Sequence, residues 1–185
     1  MKPAAAITLV LLALAGCSGK PAAPEAPAQA PAATTTEPSP DSALPTATIT
    51  LYFPSSEGDE LVAETREIVD TARPAERGTQ VLVELLAGPQ TEAALPAIPA
   101  GTTLRQLWIG KSGIAWADFS EELSTGMTGG SADELLTVYA IVDSLTANVP
   151  QIRRVGLLVG GRERDTLAGH VDIRRPLPPH AKKED

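Results

Sequence analysis

The sequence predicts an α+β domain in which two helices pack on one face of a mixed, mostly antiparallel β-sheet. Two stretches repeat apolar residues at helical spacing between clear starts and stops: Pro74 to Gly88-Pro89, and Ser131 to Pro150. Strand-length apolar segments lie before, between and after them, two at a time. The order is strand, strand, helix, strand, strand, helix, strand, strand. Paired strands between helices favour hairpins over the strict alternation of a parallel α/β sheet.

Thr48 to Phe53 alternates and places Ile49, Leu51 and Phe53 on one face before Pro54 stops it. Leu61 to Val69 reads either as a strand paired back on the first or as the start of a helix, because its Glu and Arg favour one. Pro74 occupies a helix N1 position, and Val81, Leu82, Leu85 and Leu86 form one apolar stripe. Gly88-Pro89 closes that helix. Residues 91–101 form a loop, and Leu104 to Ile109 and Ile114 to Phe119 are strands joined by a tight turn at Gly110 to Gly113. Ser131-Ala132-Asp133-Glu134 has the S-x-x-E form of a capping box, with Ser131 as the cap. Leu135, Val138, Val142, Leu145 and Val149 follow at helical spacing, widened by Leu136, Tyr139 and Ile141. Val155 to Val159 suits a central strand. Gly160-Gly161 is a hairpin turn, and Arg162 to Ile173 forms a return strand broken at Gly169.

The N-terminus precedes any fold. Lys2, an apolar run from Ala4 to Ala15 broken only by Thr8, and small residues before Cys17 make a secretory signal over residues 1–16. The run is too short to span a bilayer, which needs about 20 residues. Leu14-Ala15-Gly16-Cys17 resembles a bacterial lipoprotein signal. That resemblance implies a lipidated Cys17 at the new N-terminus, with several acyl chains that give a lasting membrane anchor. No thiol then remains for a disulfide, a metal or a nucleophile. The position after Cys17 is Ser18 rather than a retention-type aspartate, which predicts the periplasmic face of the outer membrane in a two-membrane cell.

Residues 17–45 form the tether. From Lys20 to Pro45, seven prolines and eight alanines occur in 26 residues, a composition that favours an extended linker over a packed element. The compact domain is 46–177, and 178–185 is expected to be a polar, disordered tail. The whole chain carries a net charge of −8, so neither nucleic acid nor an anionic bilayer surface is an expected partner.

Tyr52-Phe53-Pro54, Leu61 to Arg66, Leu85 to Pro89, Ala117 to Ser120, Gly129 to Glu134 and Leu167 to Asp172 occur in an order that resembles the GerMN domain of sporulation and germination proteins. The resemblance runs from about Ile49 to Leu177. It implies an envelope lipoprotein module without catalytic activity or cofactor. Such modules occur singly or in tandem, as scaffold components of trans-envelope complexes or beside a sensor kinase. This chain has one copy, so a paired arrangement would require self-association.

The chemical motifs are sparse. Gly129-Gly130-Ser131-Ala132-Asp133 has Asp where a G-x-S-x-G nucleophile elbow needs its last glycine. His170 is the one histidine inside the fold. It is a base in a hydrolase reading, or a structural residue bonded to a neighbouring carbonyl or Asp172. Two histidines and no free thiol make a poor zinc set, and the spacing of a calcium loop is absent. Arg153, Arg154, Arg162, Arg164, Arg174 and Arg175 form either a docking face or a solvated face paired with Glu163, Asp165 and Asp172. Trp108 and Trp116 lie on adjacent strands, as core partners or as a sugar-stacking surface. Glu64 and Arg66 share a strand face. Glu64, Arg66, His170 and Asp172 are therefore the candidate binding residues. The expected function is a lipid-anchored, non-enzymatic envelope module that docks a protein. Peptidoglycan or glycan binding is the alternative, and a hydrolase using His170 the third reading.

Overall fold

The computed structural model describes residues 44–180. The expected signal peptide, the expected lipidation at Cys17, the expected tether up to residue 43 and residues 181–185 of the expected tail lie outside the described residues. Two strands open the domain, β1 (Thr46–Pro54) and β2 (Leu61–Val69), followed by helix α1 (Pro74–Leu86). Strands β3 (Leu104–Ile109) and β4 (Ile114–Phe119), a short helix α2 (Glu122–Thr125) and the long helix α3 (Ser131–Asn148) come next. Strands β5 (Arg154–Val159) and β6 (Arg162–Glu163) close the order. The α+β class is as expected, and Leu61–Val69 resolves as a strand.

The strands divide between two sheets rather than one. β1 and β2 pair antiparallel over their full length, from Thr46 opposite Val69 to Pro54 opposite Leu61. The second sheet runs β3-β4-β5-β6, with β4 and β5 parallel and the other pairs antiparallel. The parallel pair follows from α3, which carries the chain back across the sheet as a crossover. α3 packs on β1, β5 and α1, while α1 packs on β3 and β1, so the helices join the two sheets. Ile49, Leu51, Phe53, Val81, Leu82, Leu85, Phe119, Leu123, Ile141, Leu145 and Leu157 are buried between these layers. Each large apolar side chain removed from water there contributes about 1.5–3 kcal/mol.

β1 has a second edge, and α3 closes it with side chains. Asn148 accepts the Thr50 N–H at 2.8 Å through Oδ1 and donates Nδ2 to the Thr50 carbonyl at 2.6 Å. Ser144 Oγ accepts the Tyr52 N–H at 3.0 Å. Further along, Leu95 N–H donates to the Pro54 carbonyl at 2.8 Å. The backbone groups of an edge strand are thereby satisfied without a neighbouring strand.

Two sequence expectations are corrected. The S-x-x-E box does not form, because Gly130 rather than Ser131 is the N-cap of α3. Asp133 Oδ2 reaches back to accept the Gly130 N–H at 3.2 Å, and Glu134 turns into the core. Gly129 makes room for that turn, since a Cβ there would lie 1.8 Å from Asp133 Oδ2. The return strand also stops at Glu163 instead of reaching Ile173. Beyond it the N–H groups of Leu167, Ala168 and His170 are spent on Glu134, and Gly169 takes φ +103°, outside any strand.

Candidate functional site

Glu134 organises the C-terminal loop. It lies one helical turn before Val138 and two before Ile141, on the apolar face of α3, so its side chain enters the core and is fully buried. Oε1 accepts the Leu167 and Ala168 N–H groups at 2.8 and 3.0 Å, and Oε2 accepts the His170 N–H at 2.8 Å. His170 Nδ1 lies 3.0 Å from the same Oε2. Burial pulls the pKa of Glu134 upward, but the backbone donors at Ala168, His170, Val171 and Leu167 outweigh it and hold the carboxyl below its ordinary value. The loop is a nest of N–H groups folded around one buried anion.

His170 is therefore held by a carboxylate on α3. Asp172 lies elsewhere and makes a bidentate pair with Arg174 at 2.9 and 2.7 Å, which lowers its pKa to about 2. The imidazole is half-exposed, and among the described residues no hydroxyl bonds to its ring. Among the described residues, no cluster of three His, Cys, Asp or Glu side chains could hold a metal ion.

Glu64 and Arg66 come together at the end of α1. All five guanidinium N–H groups are engaged: Nε and Nη2 on Glu64, Nη1 on the carbonyl and carboxylate of Glu84, and Nη2 also on the Gly88 carbonyl. The guanidinium thus caps the helix C-terminus, where carbonyls lack partners and the dipole is negative. Glu64 also accepts the Gln90 N–H at 2.9 Å and a hydroxyl bond from Thr91. Burial works against its charge, yet the Arg66 bond, the Gln90 N–H and the Arg66 charge hold its pKa below the ordinary value. The sequence placed these two on one face; their use as a helix cap needed Gly88 and Pro89 to bring the carbonyls back to β2.

The basic residues near the C-terminus are only partly taken up by ion pairs. Arg164 pairs with Glu121 at 2.7 Å and Arg174 with Asp172, while Arg105 on β3 holds Asp118 at 3.0 Å. Trp108 and Trp116 stand directly opposite each other on β3 and β4. Trp108 is 38% exposed and Trp116 half-buried, so the pair lies at the surface rather than in the core.

A groove of about 800 Å³ lies between the β1–β2 hairpin and α3. Leu61, Leu135, Leu136 and Tyr139 wall it, and Asp59, Glu60 and Asp143 add carboxylates. Leu135 departs from the apolar stripe expected of α3: it is 41% exposed and opens onto the groove instead of the core. The tail reaches the far end, where the His180 ring lies 4.7 Å from that of Tyr139 and the His180 N–H donates to Asp143 Oδ1 at 2.7 Å. Sequence patterning missed this site because its walls come from a hairpin, a helix and the tail.

With this geometry in view, three comparisons bear on kinship. The family model described as Germane, sporulation and spore germination, matches residues 50–165, more than half of the chain. No curated protein matches. The first GerMN domain of the sporulation protein GerM from Bacillus subtilis superposes with a TM-score of 0.59 at 26% identity, covering 71% of this chain and 97% of that one. A protein from Clostridium perfringens described as a candidate lipoprotein gives 0.53 at 26% identity, over 72% and 87% of the two chains. The tandem GerMN domains of GerM share the fold at 0.52 and 22% identity, over 74% of this chain and 45% of that one. The order of elements, the extent of the family match and these structures agree: the chain belongs to the Germane family and its described domain is a GerMN domain.

Proposed function

We propose that this protein is a lipid-anchored, non-enzymatic interaction module of the cell envelope that docks a segment of a protein partner. The observation that carries this reading is the groove between the β1–β2 hairpin and α3, where Leu135 is 41% exposed beside Tyr139 and Leu61. Exposed apolar walls inside a polar rim characterise docking sites. Asp59 and Glu60 on that rim favour a partner segment that combines apolar and cationic side chains. Membership of a family described for sporulation and germination, and the candidate-lipoprotein relative, support an envelope setting. The Leu14-Ala15-Gly16-Cys17 signal supports anchoring through Cys17.

The test is a photocrosslinking side chain at Leu135 in the full-length protein, in its own cells. The expected outcome is one or a few stoichiometric envelope proteins, crosslinked through an apolar and cationic segment, that disappear in a D59K/E60K variant. Retention of those crosslinks in that variant, or crosslinks only to cell-wall fragments, refutes the reading. Replacing Cys17 with Ser should release the chain from the membrane fraction.

A further inference from the structure

The outer face of the β3-β4-β5-β6 sheet carries both tryptophans of the chain. Leu107, Ala115, Ala117, Val155 and Leu157 are buried under the helices, so their strand neighbours Trp108, Trp116 and Gly156 point the other way. Trp108 faces Trp116, and Trp116 faces Gly156 on the parallel neighbour. The Trp116 indole lies flat across β5, because Gly156 has no side chain: a Cβ there would sit 2.4 Å from Cε3 and 2.5 Å from Cζ3. The result is an aromatic row across three strands, roughly 10 Å wide at ordinary strand spacing.

Polar and charged groups flank the row unequally. On one side Asp118 is already satisfied, by Arg105 at 3.0 Å and the Gly161 N–H at 2.8 Å. At the opposite end of these strands come Arg154, two residues before Gly156 on β5, then Arg153, whose side chain lies near Gly113, and Lys111 in the β3–β4 turn. None of these three forms an ion pair among the described residues; Arg154 makes only a 3.5 Å bond to the Pro176 carbonyl. In a chain of net charge −8, three cations without an ion pair among the described residues thus lie at that end of the aromatic row.

We propose that this face binds an anionic cell-wall glycan, a pyranose polymer whose substituents end in carboxylates. The C–H face of a pyranose packs on an indole as another apolar surface does, and the ring's quadrupole attracts the positive C–H edge. The carboxylates pair with Arg154, Arg153 and Lys111. The inference is independent of protein docking in the groove, which lies against the β1–β2 hairpin and not on this sheet.

Because the chain has two tryptophans and both lie on this face, tryptophan emission reports on it alone. The full-length protein in detergent is titrated with purified disaccharide-peptide fragments of peptidoglycan. A saturable change in emission is expected, with affinity lowered about tenfold or more by Trp108→Ala and largely retained by Trp108→Phe. Arg154→Gln should weaken binding and flatten its dependence on salt. Polyglutamate, which offers carboxylates without rings, should give no saturable change. The proposal is overturned by an absent response to the fragments, by a response that survives Trp108→Ala, or by an equal response to polyglutamate. An emission change produced by protein concentration alone would assign the face to a second copy and likewise overturn it.

Discussion

Glu134 Oε2 accepts the backbone N–H of His170 at 2.8 Å and lies 3.0 Å from the Nδ1 of its ring, so one buried carboxylate fastens the C-terminal loop to the first turn of α3. Without that anion, the N–H groups of Leu167, Ala168 and His170 would lose their acceptor. The loop conformation is a consequence of a charge on another element.

Glu134→Gln is accordingly predicted to be among the most damaging single changes. An amide retains one acceptor but turns its own N–H₂ toward the loop donors, and leaving such buried groups unpaired costs about 1–3 kcal/mol each. We expect a loss of roughly 3 kcal/mol or more in denaturant unfolding, with early proteolysis near Gly169. A loss under 1 kcal/mol would show that the nest does not hold the loop.

The same carboxylate sets a pH dependence. The Glu134 pKa is held below its ordinary value of 4.5 in the folded protein, and that of Glu64 likewise. Each group therefore contributes stability that is fully present above 4.5 and is lost as pH falls through the lowered folded value. Thermal unfolding followed by circular dichroism between pH 6 and about pH 3 should show the midpoint falling chiefly below pH 4.5. The fall should be shallower in Glu134→Gln.

Arg66 is predicted to be irreplaceable even by lysine. Its five donors meet two carboxylates and two carbonyls in a fork that one ammonium cannot reproduce. Removing one partner from a buried pair of this kind costs about 3–5 kcal/mol, and Arg66→Ala should fall in that range. Hydrogen exchange should locate the loosening at Glu84 to Gln90, where the cap is lost; uniform loosening across the domain would count against the capping role.

Asn148→Ala should expose the N–H and carbonyl of Thr50 on the edge of β1. A destabilisation of about 1–3 kcal/mol is expected from the unpaired groups, read from urea midpoints. Because a freed edge is a template for strand pairing, the variant should also aggregate at lower protein concentration.

Gly156→Ala tests how Trp116 is seated. The added methyl meets the indole ring, which must lift toward solvent, and overpacking of this kind costs about 1–3 kcal/mol. Tryptophan emission should shift to longer wavelength. An unchanged spectrum would mean that the ring does not lie on Gly156.

The sequence by itself determined the elements whose causes are local. Pro74 and Gly88 bracket α1, alternation at Ile49, Leu51 and Phe53 makes β1, and the spacing from Val138 to Val149 makes α3. The ordered residues of the GerMN resemblance also sufficed to name the family. Tertiary structure decided the rest. A capping box and a buried Glu134 share one short pattern, and only the N–H groups of a loop more than 30 positions away favour the second. A return strand and an irregular loop share the residues after Glu163, and the pull of that same carboxylate selects the loop. Leu135 sits at helical spacing with the core yet opens on a groove, because the β1–β2 hairpin does not extend over it. Spacing along the chain fixes which residues share a face, but what that face meets depends on contacts between distant segments, and those create the sites.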